Sequence, residues 1–102
     1  MSLFRCQIVT IEGTVFDEEV AYLSVPAEKG MMGILPNRLP IIANLKAEGG
    51  LLKVTLADLK ERYFFVKGGS LMTKRKETVV LVDCCKETQT AEEALALVEK
   101  QS

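Results

Sequence analysis

At 102 residues, with 48% hydrophobic and 26% charged residues, the chain has the composition of an ordinary globular protein and the length of one domain. The 13 basic and 14 acidic residues leave a net charge of -1, so no global field draws nucleic acid or an anionic membrane, and a partner must be found by shape. Histidine is absent, which removes Ser-His and Cys-His nucleophiles and most zinc sites, and no apolar run approaches the ~20 residues that cross a bilayer.

The opening MSLFRCQIVT has no basic segment followed by an apolar stretch and cleavage site, so the chain is expected to be soluble and not exported by a signal of its own. In FRCQI, Phe4, Cys6 and Ile8 fall on one face and Arg5 and Gln7 on the other, and Glu12-Gly13 turns the chain toward TVF, giving an opening hairpin. After the acidic stretch Asp17, Glu18, Glu19 comes a second β-prone run, VAYLSV, which Pro26 is expected to close because proline cannot donate to a ladder. Residues 29–42, KGMMGILPNRLPII, suit a shaped loop more than a strand. Strands LPIIANL, LLKVTL, RYFFVK, SLMTK and TVVLVD then follow one another. They are separated by Glu48-Gly49-Gly50, by ADLKE, by Gly68-Gly69 and by a hairpin tip at Lys74-Arg75-Lys76-Glu77. Short β-prone segments every eight to twelve residues or so point to an antiparallel sandwich or barrel.

The character changes after Asp83. Thr90-Ala91-Glu92-Glu93 has the form of a capping box, and Ala91, Ala94, Leu95 and Val98 recur at helical spacing as one apolar stripe. A helix of about three turns is marginal alone in water, so this stripe is expected to dock on the sandwich or on a partner.

Most candidate sites are better explained without chemistry. Lys74-Arg75-Lys76 lies at a hairpin tip with no interleaved aromatics and is taken as a solvated turn; Asp17, Glu18, Glu19 lacks the spaced ligands and glycine of a calcium loop. KGGSLMTK is not a phosphate loop, since it has the wrong pattern and no strand-to-helix context. Of three cysteines, Cys84 and Cys85 are adjacent and poorly placed to pair, so small thiols in a reducing compartment are expected. Tyr63, Phe64 and Phe65 read as core, with at least one of the three covering a second surface. That leaves KGMMGILPNRLP, either a connection whose methionines tuck beneath the sandwich or a protruding contact loop. The second reading is favoured by adaptable methionines, permissive glycines at 30 and 33, and two prolines that lower the entropy lost on binding.

With these residues in place, the chain resembles the epsilon subunit of F-type ATP synthase, the small subunit at the foot of the rotary stalk. The residues that carry the resemblance are IVTIEGTVF, matching V-x-x-x-x-x-x-F; Gly30-Met31-Met32-Gly33-Ile34-Leu35-Pro36-Asn37-Arg38-Leu39-Pro40, matching G-x-x-G-I-x-P-x-H-x-P; and Gly68-Gly69-Ser70-Leu71 before TVVLVD. The resemblance implies a ten-stranded β-sandwich, residues 1–86, followed by a short C-terminal helix, residues 87–102. It implies no bond chemistry, cofactor or metal. It implies a sandwich bound by the gamma subunit and resting on the c-subunit ring, with membrane contact only through the complex, on the cytoplasmic face of a bacterial inner membrane. Gly30, Met31, Met32, Gly33, Pro36, Asn37 and Arg38 would then face the ring, and Ala91, Ala94, Leu95 and Val98 would dock the helix.

The chain departs from the family pattern at Arg38, usually histidine, and at Met31, often acidic. The family's D-x-x-R-A motif, which contributes to ATP binding in some members, corresponds to Glu92-Glu93-Ala94-Leu95-Ala96, with Leu95 in the arginine's place. With that leucine, and with the sequence ending at Ser102 before a second helix, the expectation is a subunit that couples but inhibits ATP hydrolysis little and binds no ATP. The competing readings are an unrelated sandwich that binds a ligand or protein and, least favoured, an enzyme.

Overall fold

The computed structural model describes residues 2–101, with Gln101 described in its backbone only; Met1 and Ser102, the outer ends of the two expected segments, lie outside the described residues. The elements are β1 (Phe4–Thr10), β2 (Gly13–Ala27), β3 (Gly30–Ile34), β4 (Ile41–Asn44), β5 (Gly50–Leu56), β6 (Glu61–Lys67), β7 (Ser70–Thr73), β8 (Glu77–Leu81), β9 (Cys84–Thr88) and α1 (Ala91–Gln101). The strands run in the order β4-β7-β8-β1-β2-β5-β6-β9, with β3 added to β2. Inward side chains from both halves of this curled sheet, among them Phe4, Ile8, Val20, Leu23, Leu52, Phe64, Leu71 and Val80, meet in one cluster, which makes the sheet a β-sandwich.

The expected opening hairpin is present: β1 pairs antiparallel with β2, and Phe4, Cys6 and Ile8 form its buried face. TVF and VAYLSV, however, are two parts of one 15-residue strand. Its pairing with β5 shifts register between Val20 and Tyr22, an extra residue that flips the pleat. Phe16 and Val20 face the core before the shift, and Leu23 and Val25 after it. This single strand covers what two shorter ones were expected to do, which leaves nine strands among the described residues. One pairing is parallel, β1 with β8; every other pairing between strands is antiparallel.

Pro26 does not end β2, which continues to Ala27. In an antiparallel strand the N–H and C=O of one residue point to the same side. The Pro26 carbonyl accepts from the Lys46 N–H, so its missing N–H falls away from β3, on a side where the ladder with β5 has already stopped at Ser24. The MMG segment, expected in a loop, is strand β3, paired with β2 from Leu23↔Ile34 to Ala27↔Gly30. Cys84–Thr88, which has no sequence alternation to mark it, forms β9 on the edge of β6 and carries the sheet past position 86. Gly68-Gly69 makes the expected turn with positive φ at both residues, and a Cβ on Gly69 would collide with the Leu81 carbonyl.

The helix starts as its sequence suggests, with the Glu93 N–H donating to Thr90 Oγ1 at 3.2 Å. It packs on β5, β6 and β9. There it covers Phe65, which is buried but lies outside the main core cluster, while Phe64 and Val66 point the other way into that core. Ala94 is fully buried, with Ala91 and Val98 partly covered beside it. Leu95 lies off this face and is 49% exposed, because about 100° per residue turns it away from Ala94 to the edge of the packed stripe. Leu97 instead lies partly buried on the other flank.

The acidic stretch sits in mid-strand and is held by cations. Arg5 donates twice to Asp17, at 2.9 and 2.8 Å, and Arg62 of β6 links β2 to β9 by bonding Glu18 at 2.9 Å and Glu87 at 2.8 Å. The Arg62 guanidinium also lies 5.0 Å from the Phe16 ring centroid and closes the rim of the core. The hydrogen bonds from Arg62 hold the Glu87 carboxyl below the ordinary glutamate range. Glu87 therefore binds fewer protons in the folded than in the unfolded chain, and this stabilisation is complete above the ordinary glutamate value and lost as pH falls through the lowered one. We expect Arg62→Ala to cost about 1–2 kcal/mol at neutral pH, through lost rim packing more than through the solvent-screened ion pairs. Denaturant midpoints at neutral pH and at about pH 3 should then fall further for the wild type than for the variant; equal falls would show that the pair contributes nothing to acid sensitivity.

Candidate protein-interaction surfaces

Among the described residues, two groups of neighbouring apolar side chains stand uncovered, and the strand order explains both. The first is the end of the sandwich built by β3 and residues 35–40. On β3 the pleat alternates, so Met31 is 58% exposed while Met32 is half-buried against the core cluster. Gly30 enters the strand at positive φ, and Gly33 passes beneath Tyr22, where a Cβ would strike the phenol. After the fully buried Ile34 the chain leaves the sheet through Leu35, turns at Pro36–Asn37 and re-enters at β4. Asn37 takes φ 63°, a conformation its short polar side chain tolerates, and its N–H donates to the Arg75 carbonyl at 2.7 Å. The Arg38 guanidinium donates back to the Gly33 carbonyl, which ties the exit of β3 to the turn. Leu39, next to this anchored turn, is 81% exposed.

The structure thus places Gly30, Met31, Met32, Gly33, Pro36, Asn37 and Arg38 at one end of the sandwich, but as a strand and a pinned turn rather than a protruding loop. Met32 faces the core side, which leaves Met31, Leu35 and Leu39 as the apolar groups open to a partner.

The second surface is the outer face of β4, β7 and β8. Ile42 pairs with Met72 and Met72 with Val79, so these three form one row across the sheet, with Leu81 on the same face of β8. Ile42 is 76% exposed, and Met72 and Leu81 are also exposed. Beside the row, Pro40, Ile41, Ile42, Met72, Thr73 and Lys74 line a concavity of about 320 Å³. The outer face of a sandwich sheet normally alternates to polar residues; an apolar row there is the mark of a contact surface. Sequence reasoning passed over it. The available signal was the unbroken apolar run of TVVLVD, since a strand apolar on both faces is one covered on both faces.

Burial pushes the Cys6 thiol up to about 12 and the Cys85 thiol up to about 11, the opposite direction from a reactive cysteine. Among the described residues no three metal-ligating side chains stand together.

Residues 3–88 match the family described as "ATP synthase, Delta/Epsilon chain, beta-sandwich domain". The chain belongs to this family. It is 38% identical over 80 residues to the ATP synthase epsilon chain of Dichelobacter nodosus, covering 78% of this chain and 54% of that protein. To the ATP synthase epsilon chain of Polynucleobacter necessarius it is 31% identical over 101 residues, 99% of this chain and 72% of that one. Among solved structures, a chain of the Euglena gracilis mitochondrial ATP synthase, resolved with its c-ring, superposes with a TM-score of 0.80 at 16% identity. That match covers 99% of this chain and 64% of the other. A chain of the central stalk and c-ring of the Tetrahymena thermophila mitochondrial ATP synthase gives a TM-score of 0.65 at 13% identity, covering 95% and 88%. At these identities the structural matches establish the fold alone. The chain thus spans about half the length of the Dichelobacter relative and under two-thirds of the Euglena chain.

The two methionines of the delta/epsilon signature segment should separate stability from contact. Met32→Asp introduces a charge against the core and should destabilise the isolated protein by about 1–3 kcal/mol, whereas Met31→Asp should stay within about 0.5 kcal/mol of wild type. Equal melting temperatures for the two variants would contradict the pleat assigned to β3.

Proposed function

We propose that this chain is a non-catalytic central-stalk subunit of a proton-translocating ATP synthase, bound by the gamma subunit and seated on the c-subunit ring. The observation that carries this reading is the pair of exposed apolar surfaces on a delta/epsilon sandwich, one at its β3–β4 end and one on the outer face of β4-β7-β8. The similar solved structures are an OSCP, F1 and c-ring assembly and a central stalk with c-ring, which supports the same partners here. We assign the β3–β4 end to the ring and the Ile42–Met72–Val79 row with Leu81 to gamma, because an extended row across three strands suits a long partner and a compact pinned turn suits short loops.

In this proposal the sandwich, which β9 carries past the boundary expected at 86, is the coupling body and α1 is its helical appendage. Ring, sandwich and gamma turn as one unit, and what the sandwich supplies is stiffness: a close-packed body carrying torque between two contacts with little internal motion. No helix among the described residues is long and apolar enough to cross a membrane. Contact with the membrane comes through the ring, on the cytoplasmic face of a bacterial inner membrane. We propose also that inhibition of ATP hydrolysis is weak, because exposed Leu95 offers no cation where the family pattern has arginine.

Titrating the folded chain with the gamma subunit from the same source tests the reading. A stoichiometric complex with a large negative heat-capacity change is expected, weakened at least tenfold by Met72→Lys, whose wild-type side chain is exposed and costs the free protein little. No binding at tens of micromolar would overturn it. The same preparation added to a catalytic head lacking this subunit should leave ATP hydrolysis nearly unchanged, and strong inhibition would refute the role assigned to Leu95.

A further inference from the structure

Lys74-Arg75-Lys76, a solvated turn by its sequence, is part of the β3–β4 end in the folded chain. The hydrogen bond from the Asn37 N–H to the Arg75 carbonyl fastens the β7–β8 hairpin tip beside the Pro36–Arg38 turn, so four cations, Arg38, Lys74, Arg75 and Lys76, stand at one end of a molecule whose net charge is -1. Lys74, Arg75 and Lys76 are exposed, and among the described residues none of them is paired with a carboxylate. The acidic neighbour in the chain, Glu77, contributes to the field at Arg5. Lys74 also stands at the rim of the concavity whose apolar wall is Pro40, Ile41, Ile42 and Met72.

We infer that the hairpin tip Lys74–Lys76 extends the ring-facing surface and selects a partner loop that carries carboxylates. The inference rests on the seating proposed above and adds the chemistry of the partner. The four cations at this end stand beside one carboxylate, Glu77, so the local charge is strongly positive and a basic or neutral loop would leave most of it uncompensated. A protein loop fits better than a lipid surface, because the tip is pinned to a rigid turn and borders a shaped apolar recess. A fluid headgroup layer has no feature to fill such a recess, while a loop can place a carboxylate on Lys74 and an apolar side chain against Pro40 and Ile41, the part of the recess outside the row assigned to gamma.

The test uses the preformed complex of this chain with gamma, titrated against the c-ring from the same source in discs of uncharged lipid over a range of salt concentrations. Wild-type affinity should fall as salt rises. The triple variant Lys74→Glu, Arg75→Glu, Lys76→Glu should bind roughly tenfold or more weakly at low salt with a flattened salt dependence, its melting temperature and gamma binding unchanged. The neutral triple variant to Gln should fall between the two, a second reading that does not depend on tolerance of three added carboxylates. Wild-type ring binding that is independent of salt and unaffected by either variant overturns the inference and leaves the seating intact. Wild-type binding to phosphatidylglycerol vesicles that the reversal abolishes, with ring binding unchanged, overturns it in favour of lipid. No ring binding by the wild-type complex at any salt refutes the seating itself and the inference with it.

Discussion

The architecture depends on β2. One strand of 15 residues pairs with β1 along its first half and with β3 and β5 along its second, so it belongs to both layers of the sandwich. A straight strand with strict alternation could not do this, because Phe16 and Val20 would then share a face with Tyr22 and Ser24 rather than with Leu23 and Val25. The register shift between Val20 and Tyr22 supplies the change of parity and the bend together. The sheet can then curl over one core, and the bridge between Ala27 and Leu45 ties the end of β2 to the residue that follows β4.

Two consequences of that curl set the functional surfaces. It places residues 35–40 against the β7–β8 tip, which converts a proline-rich connection into a pinned turn through Asn37 and Arg38. It also leaves β4, the shortest kind of edge strand, flanking β7 with an uncovered apolar row. The opposite edge is finished differently: β9 closes on β6 and α1 lies across β5, β6 and β9, so Phe65 and Ala94 are buried there without a partner chain. The molecule covers one flank by itself and leaves the other open, the asymmetry expected of a part held between two neighbours.

Much of the fold was legible in the sequence where local chemistry and tertiary role agree. Alternation in FRCQI and LLKVTL, the double glycines and the capping threonine each predict what forms. The failures are instructive in the same terms. Pro26 reads as a stop only if its missing N–H is needed, and the strand's neighbours make it unnecessary. CCKET has no pattern because β9 is paired on one edge and largely exposed. The methionines of KGMMGI look like a loop because glycines flank them, yet pairing with β2 overrides that local preference. Leu95 was assigned to the packed stripe by spacing alone, and Leu97 on the other flank proved the better covered residue. Long-range register determines all of these, and periodicity does not carry it.

A β3–β4 end that sits on the ring and turns with it can be cross-linked to the ring without loss of function. Met31→Cys, in a Cys84→Ser background that removes the exposed native thiol, should form a disulfide with cysteines placed in the exposed loops of the ring in the assembled enzyme. If the two parts move together, the cross-linked enzyme should still couple proton flow to ATP synthesis. Failure of Met31→Cys to react with any ring loop, or a link that forms and halts turnover, would contradict the claim.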